Sequence, residues 1–161
     1  MDIGKIEYPA AIVKQGHLVL DETQFAPYYL NAIAQKFSRR ISQIAREQFG
    51  IGLVEWRLLV VLAWDIPITA HNVSDKALVD RALVTKGFRS LQEKGLIDLA
   101  PQPTNTRSRL ATLTEKGHEI FDQLLPIVLE REAVLLNGVD PNERDQFLET
   151  LGKIVKNLDD L

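Results

Sequence analysis

A chain of 161 residues with 45% hydrophobic side chains and a net charge of −3 has the size of one domain and enough apolar material for a core, which excludes a disordered or fibrous protein. It contains no cysteine, so thiol redox sensing, zinc-thiolate sites and cysteine nucleophiles are excluded as well. Its first residues, MDIGKIEYPA, lack the pattern of a signal peptide, and its longest apolar run, Leu58–Trp64, is far shorter than the ~20 residues of a membrane-crossing helix. The expectation is a cytoplasmic protein with no membrane contact.

In chain order, residues 1–26 read as an N-terminal arm in which HLVL forms a short extended or helical lead-in. From Pro27, apolar residues at Leu30, Ile33, Phe37, Ile41 and Ile44 have the spacing of an amphipathic helix that ends before Gly50. A second helix follows in LVEWRLLVVLAW and is stopped by Pro67. Thr69 caps a short helix through about Ala77, and Asp80 caps another that runs to Lys94 and closes at Gly95 in a left-handed conformation. LIDLA and RLATL are strand-like runs around PQPTNTRS, which predicts a β-hairpin with a long tip. Thr114 caps a long helix with apolar residues at Ile120, Leu124, Val128 and Leu135 and a bend at Pro126, ended by Gly138. Asp140, Pro141 and Glu143 open a last helix bearing Phe147, Leu151, Ile154 and Leu158 on one face. The apolar faces of the first helix and the last two call for more partner surface than one thin layer offers. A two-fold dimer would bury them, with packing inside one chain as the alternative.

Charge is unevenly distributed. Residues 80–116 carry seven basic and four acidic side chains, whereas residues 117–161 carry four basic and ten acidic. If Val84, Phe88 and Leu91 turn inward, then Arg81, Ala82, Thr85, Lys86 and Arg89 share the outward face of their helix. A basic helix presented after a short helix and a tight turn is the helix-turn-helix arrangement, in which arginine pairs with guanine in the major groove and threonine meets base edges. Arg107 and Arg109, at or near the hairpin tip, have the length to reach a minor groove or the backbone of double-stranded DNA. The alternative is a basic face that is simply solvated.

These motifs resemble the winged-helix core of the MarR (multiple antibiotic resistance regulator) family. FGIGLVEWRLLVVLA is similar to its second-helix region, LVTKGFRSLQEKGLI to its recognition helix, and NTRSRLATLTEKG to its wing and the start of its dimer helix. With the helices on either side, the resemblance spans about residues 27–161. It implies a mainly α fold with a small β-hairpin wing: a dimerisation helix over 27–50, a winged helix-turn-helix over 51–113 and C-terminal dimerisation helices over 114–161. It further implies a homodimeric, ligand-responsive repressor on a palindromic operator, released by a small aromatic or phenolic effector. The chain departs from the family pattern at Asn105, where aspartate usually precedes the wing arginine by two residues. It also departs at Leu78, where the turn often has glycine, and at Gly87, where a larger apolar residue is usual; close packing on the preceding helix and a softened reading head are equally consistent with that glycine.

Tyr28, Trp56 and Trp64 are the candidates for an effector pocket, with Arg40 and Arg57 able to meet a carboxylate. Aromatic residues at helical spacing serve more often as core. His17, His71 and His118 are scattered, and no nucleophile–base grouping, phosphate loop or paired-histidine motif is present, so no catalytic, cofactor or metal site is expected. His118 with Asp122 reads as a solvated pair. A winged helix that binds protein instead of DNA is the competing function.

Overall fold

The computed structural model describes residues 8–64, 67–103 and 105–160, without the side chains of residues 106, 107, 159 and 160. In the described part of the arm, residues 8–26, two short strands form a hairpin. Strand β1 (Ala11–Lys14) pairs antiparallel with β2 (His17–Leu20) through a turn at Gln15 (φ 53°) and Gly16 (φ 77°). Two successive positive φ angles match the twist of a hairpin. Glutamine in the first turn position hides this, since asparagine or aspartate is the usual signal there.

Helix α1 (Ala26–Phe49) has a proline in its first turn and ends at Gly50, φ 67°. Helix α2 (Leu53–Leu62) stops two residues earlier than its apolar run suggests. Strand β3 (Ile68–Thr69) leads directly into α3 (Ala70–Ala77), and α4 (Arg81–Glu93) follows. Strands β4 (Ile97–Gln102) and β5 (Asn105–Leu113) form the wing, and β3 adds to the far side of β5, giving the antiparallel order β3-β5-β4. Two residues are too few for β3 to show an alternating pattern. The expected long tip is shortened, because β4 extends through Pro101 to Gln102, with a register shift between these two residues, and β5 begins at Asn105. Proline, which donates no ladder hydrogen bond, is tolerated there because β4 is an edge strand.

Helices α5 (Glu115–Leu135) and α6 (Pro141–Lys156) follow, each starting at its expected cap, Thr114 and Asp140, and a 3-10 turn over Asn157–Asp160 comes after them. No described helix is long and apolar enough to cross a membrane. The core lies in the winged unit and the adjoining stretches of α1 and α5: Ile41, Leu58, Leu59, Leu62, Val84, Leu91, Ile97 and Leu124 are almost fully buried. Gly87 makes part of this packing possible. A Cβ there would lie 2.5 Å from Leu58 Cδ1 and 3.3 Å from Val54 Cγ1, so the neighbour that requires glycine is α2 and not the immediately preceding helix.

The chain ends look different. Of the large apolar side chains exposed among the described residues, only Val60, Trp64, Leu78 and Leu83 lie outside residues 8–33 and 129–158, and α6 has no buried residue.

The turn between α3 and α4 carries a backbone cost. Leu78 adopts the left-handed conformation, φ 51° and ψ 49°, with its side chain exposed. A side chain in this region costs about 1–2 kcal/mol that glycine avoids. Leu78→Gly is therefore expected to stabilise the fold by about 1 kcal/mol, after subtracting glycine's greater freedom in the unfolded chain. That is a rise of roughly 2–4 °C in thermal midpoint; an unchanged or lower midpoint would show that Leu78 is not strained.

Candidate nucleic-acid interface

Helix α3 is fixed by Thr69, whose hydroxyl accepts from the Asn72 amide at 3.4 Å, and by the buried Val73. The turn after it is tied twice: the Val79 amide donates to Ser74 O at 3.1 Å, and Ser74 Oγ donates to Val79 O at 2.7 Å. Asp80 then caps α4 by accepting from the Ala82 amide at 2.8 Å. Capping and the inward pull of Val84, Phe88 and Leu91 set the rotation of α4, so Arg81, Ala82, Thr85, Lys86 and Arg89 are all exposed.

These residues divide along two flanks. Thr85 and Arg89 line a groove of about 380 Å³ between α4 and the wing, together with His71, Gln92, Ser108 and Arg109. Arg81, one turn before Thr85, borders it through His71. Lys86 lies on the opposite flank, with Arg46 and Leu53. Arg109 stands opposite Pro101 in the wing ladder, and Asn105 opposite Gln102. Arg107 belongs to β5, but its side chain is outside the described residues. Arg89 is engaged in the free protein, its Nε 3.3 Å from Glu93 Oε1. Sequence reasoning passed over His71, Gln92 and Ser108, since only the folded groove brings α3, the end of α4 and β5 together.

The groove is held to the remaining helices by one compact joint. Lys94, just past α4, donates from Nζ to Glu55 Oε1 at 2.6 Å and to Gly50 O at 2.9 Å. Glu55 also accepts from the Gly52 amide at 2.6 Å, and Lys116 Nζ donates to Lys94 O at 2.8 Å. Burial pushes the Glu55 carboxyl up, but the Lys94 and Gly52 hydrogen bonds, a further one from Ser90 and the Lys94 charge outweigh it. The net effect is to hold this carboxyl below its ordinary value.

No family model matches the chain. The HTH-type transcriptional regulator YkoM of Bacillus subtilis is 29% identical over 107 residues, 66% of this chain and 70% of that protein. A MarR/EmrR family transcriptional regulator from Acinetobacter sp. ADP1 is 29% identical and superposes with a TM-score of 0.78 over 86% of this chain and 98% of its own. A MarR family regulator from Silicibacter pomeroyi DSS is 25% identical, with a TM-score of 0.74 over 85% and 91%. In sequence and in fold the chain is similar to MarR-family transcriptional regulators. Its wing, reading helix and flanking helices are those expected of a MarR-family winged helix-turn-helix.

The three aromatic pocket candidates do not converge in this MarR-family fold. Trp56 is in the core, stacked on Phe121 with ring centroids 5.5 Å apart; Trp64 is 78% exposed; Tyr28 meets Tyr29 edge to face at 5.7 Å. A cleft of about 440 Å³ lies elsewhere, between α1 and α5, with Ile33, Phe37 and Val134 beside Lys36, Arg40 and Arg131. Arg131 Nε is buried there with no hydrogen-bond partner among the described residues.

Proposed function

We propose that the protein is a ligand-responsive transcriptional repressor that binds a palindromic operator as a homodimer. The observation that carries this reading is the basic edge of α4, Arg81, Thr85 and Arg89, facing a groove whose other wall presents Arg109. A basic helix edge beside a wing arginine is the arrangement in which a helix enters the major groove and the wing meets the neighbouring backbone. Residues 51–113 are the reading head. Residues 27–50 and 114–161 join two copies, which accounts for the apolar surface gathered at the chain ends. The cleft between α1 and α5 is the better effector pocket: its apolar walls and three cations fit a small aromatic or phenolic anion, and among the described residues no carboxylate lines it.

Selection of bound fragments from genomic DNA by the purified protein tests the reading. Arg89→Ala should lower preference for the selected palindrome over random duplex about tenfold, as expected for loss of a base contact. Arg107→Ala should weaken both by a similar factor and reduce the salt slope by about 1. Equal and negligible effects of the two would remove these roles. A protein-interaction module would instead enrich no sequence and show no counterion-release slope.

A further inference from the structure

Among the residues lining the reading groove is a histidine, His71. His71 is the second residue of α3, and its Nδ1 meets Arg81 Nη2. A guanidinium only donates, so Nδ1 is the acceptor in this contact. Arg81 is the first residue of α4, the end of a reading helix that faces base edges. The carboxylate next to it in sequence, Asp80, is occupied as the helix cap. The two arginines of this edge are thus held in different ways: Arg89 by a carboxylate that offsets its charge, and Arg81 by an uncharged acceptor that leaves the whole charge for DNA.

We propose that His71 is a specificity-determining positioning residue, which directs the Arg81 guanidinium at one base edge without itself contributing charge. This rests on the DNA-reading function proposed above. An unheld arginine still finds phosphates from many rotamers, so non-specific affinity survives its release. Bidentate pairing with a base edge needs one orientation, and ordering a free side chain at the interface costs affinity at the correct site alone.

The test compares wild type, His71→Ala and His71→Gln on the selected operator and on a shuffled duplex of the same length over a range of salt, with thermal midpoints to confirm folding. His71→Ala should lower the operator-to-shuffled affinity ratio about fivefold, blur the selected sequence at one base pair in each half-site, and leave the salt slope unchanged. His71→Gln, whose amide oxygen can accept from Arg81, should recover most of the ratio. The proposal is overturned by an unchanged ratio in His71→Ala, by a loss shared equally with shuffled DNA and a shallower slope, or by a glutamine variant no better than alanine. A wild type without any sequence preference would overturn the DNA-reading function together with this role, whereas preference that is indifferent to His71 overturns the role alone.

Discussion

Gly117→Ala is expected to destabilise the protein by about 3 kcal/mol, within the range of a severely overpacked site, and to lower the thermal midpoint by roughly 10 °C for a chain of this size. The reason is local and covalent. A Cβ at Gly117 would stand 2.1 Å from the Leu96 carbonyl oxygen and 3.1 Å from its carbon, and backbone cannot swing aside as a side-chain tip can. That oxygen already accepts from the Thr114 amide at 3.1 Å, while Thr114 Oγ1 donates to Gly95 O at 2.8 Å and accepts from the Gly117 amide at 3.1 Å. Segments 94–96 and 114–117 therefore touch backbone to backbone, and α5 departs from the reading head at an angle set by this contact. Helix propensity alone favours alanine by about 1 kcal/mol, so the two effects have opposite signs. A urea or thermal melt in which Gly117→Ala gains stability would rule out the close approach.

Lys94→Met is the second large effect, expected to cost about 2 kcal/mol at neutral pH. Removing one partner of a buried ion pair strands the other, and the penalty here falls below the deep-interior range because the lysine side chain is 35% exposed, against 11% for Glu55. The pH dependence follows from the direction of the Glu55 shift. In the wild type this carboxyl is held below its ordinary value of 4.5, so the unfolded chain takes up its proton first as acid is added. Glu55 thus contributes stability that is fully present above that ordinary value and is lost as pH falls through the lower folded value. In Lys94→Met, burial is opposed only by the Gly52 and Ser90 hydrogen bonds, and much of this contribution is gone at every pH. The stability gap between variant and wild type should be constant near neutrality and narrow below about pH 4.5. Chemical denaturation at a series of pH values reads it directly, and a gap that stays flat into the acid range would show that Glu55 and Lys94 are not coupled.

Much of this molecule was legible before folding because its helices announce their ends locally. Thr69, Asp80, Thr114 and Asp140 each accept from an amide two or three residues on, an interaction that depends on neighbouring residues alone. The outward face of α4 was legible for a similar reason, since helical spacing ties Arg81, Thr85 and Arg89 to the orientation of Val84, Phe88 and Leu91. What escaped depends on partners distant in the chain. Strand β3 exists only because β5 is there to pair with it. The Glu55–Lys94 contact spans 39 residues. The partner of Gly87 is on α2, and the cations of the α1–α5 cleft come from opposite ends of the sequence. Aromatic spacing misled for the opposite reason: Trp56 and Trp64 share a period, yet one ring is core and the other stands in water.

No residue of helix α6 is fully buried within its own chain. Under the dimer proposed above, its order is supplied by a second molecule, and ordering becomes a matter of mass action: dilution unfolds this segment before it unfolds the reading head. Amide exchange in α6 should then slow as protein concentration rises, while exchange in α4 stays constant. For a repressor held at a few copies per cell, the fraction of molecules able to span both half-sites would depend on how much of the protein has been made, independently of any effector.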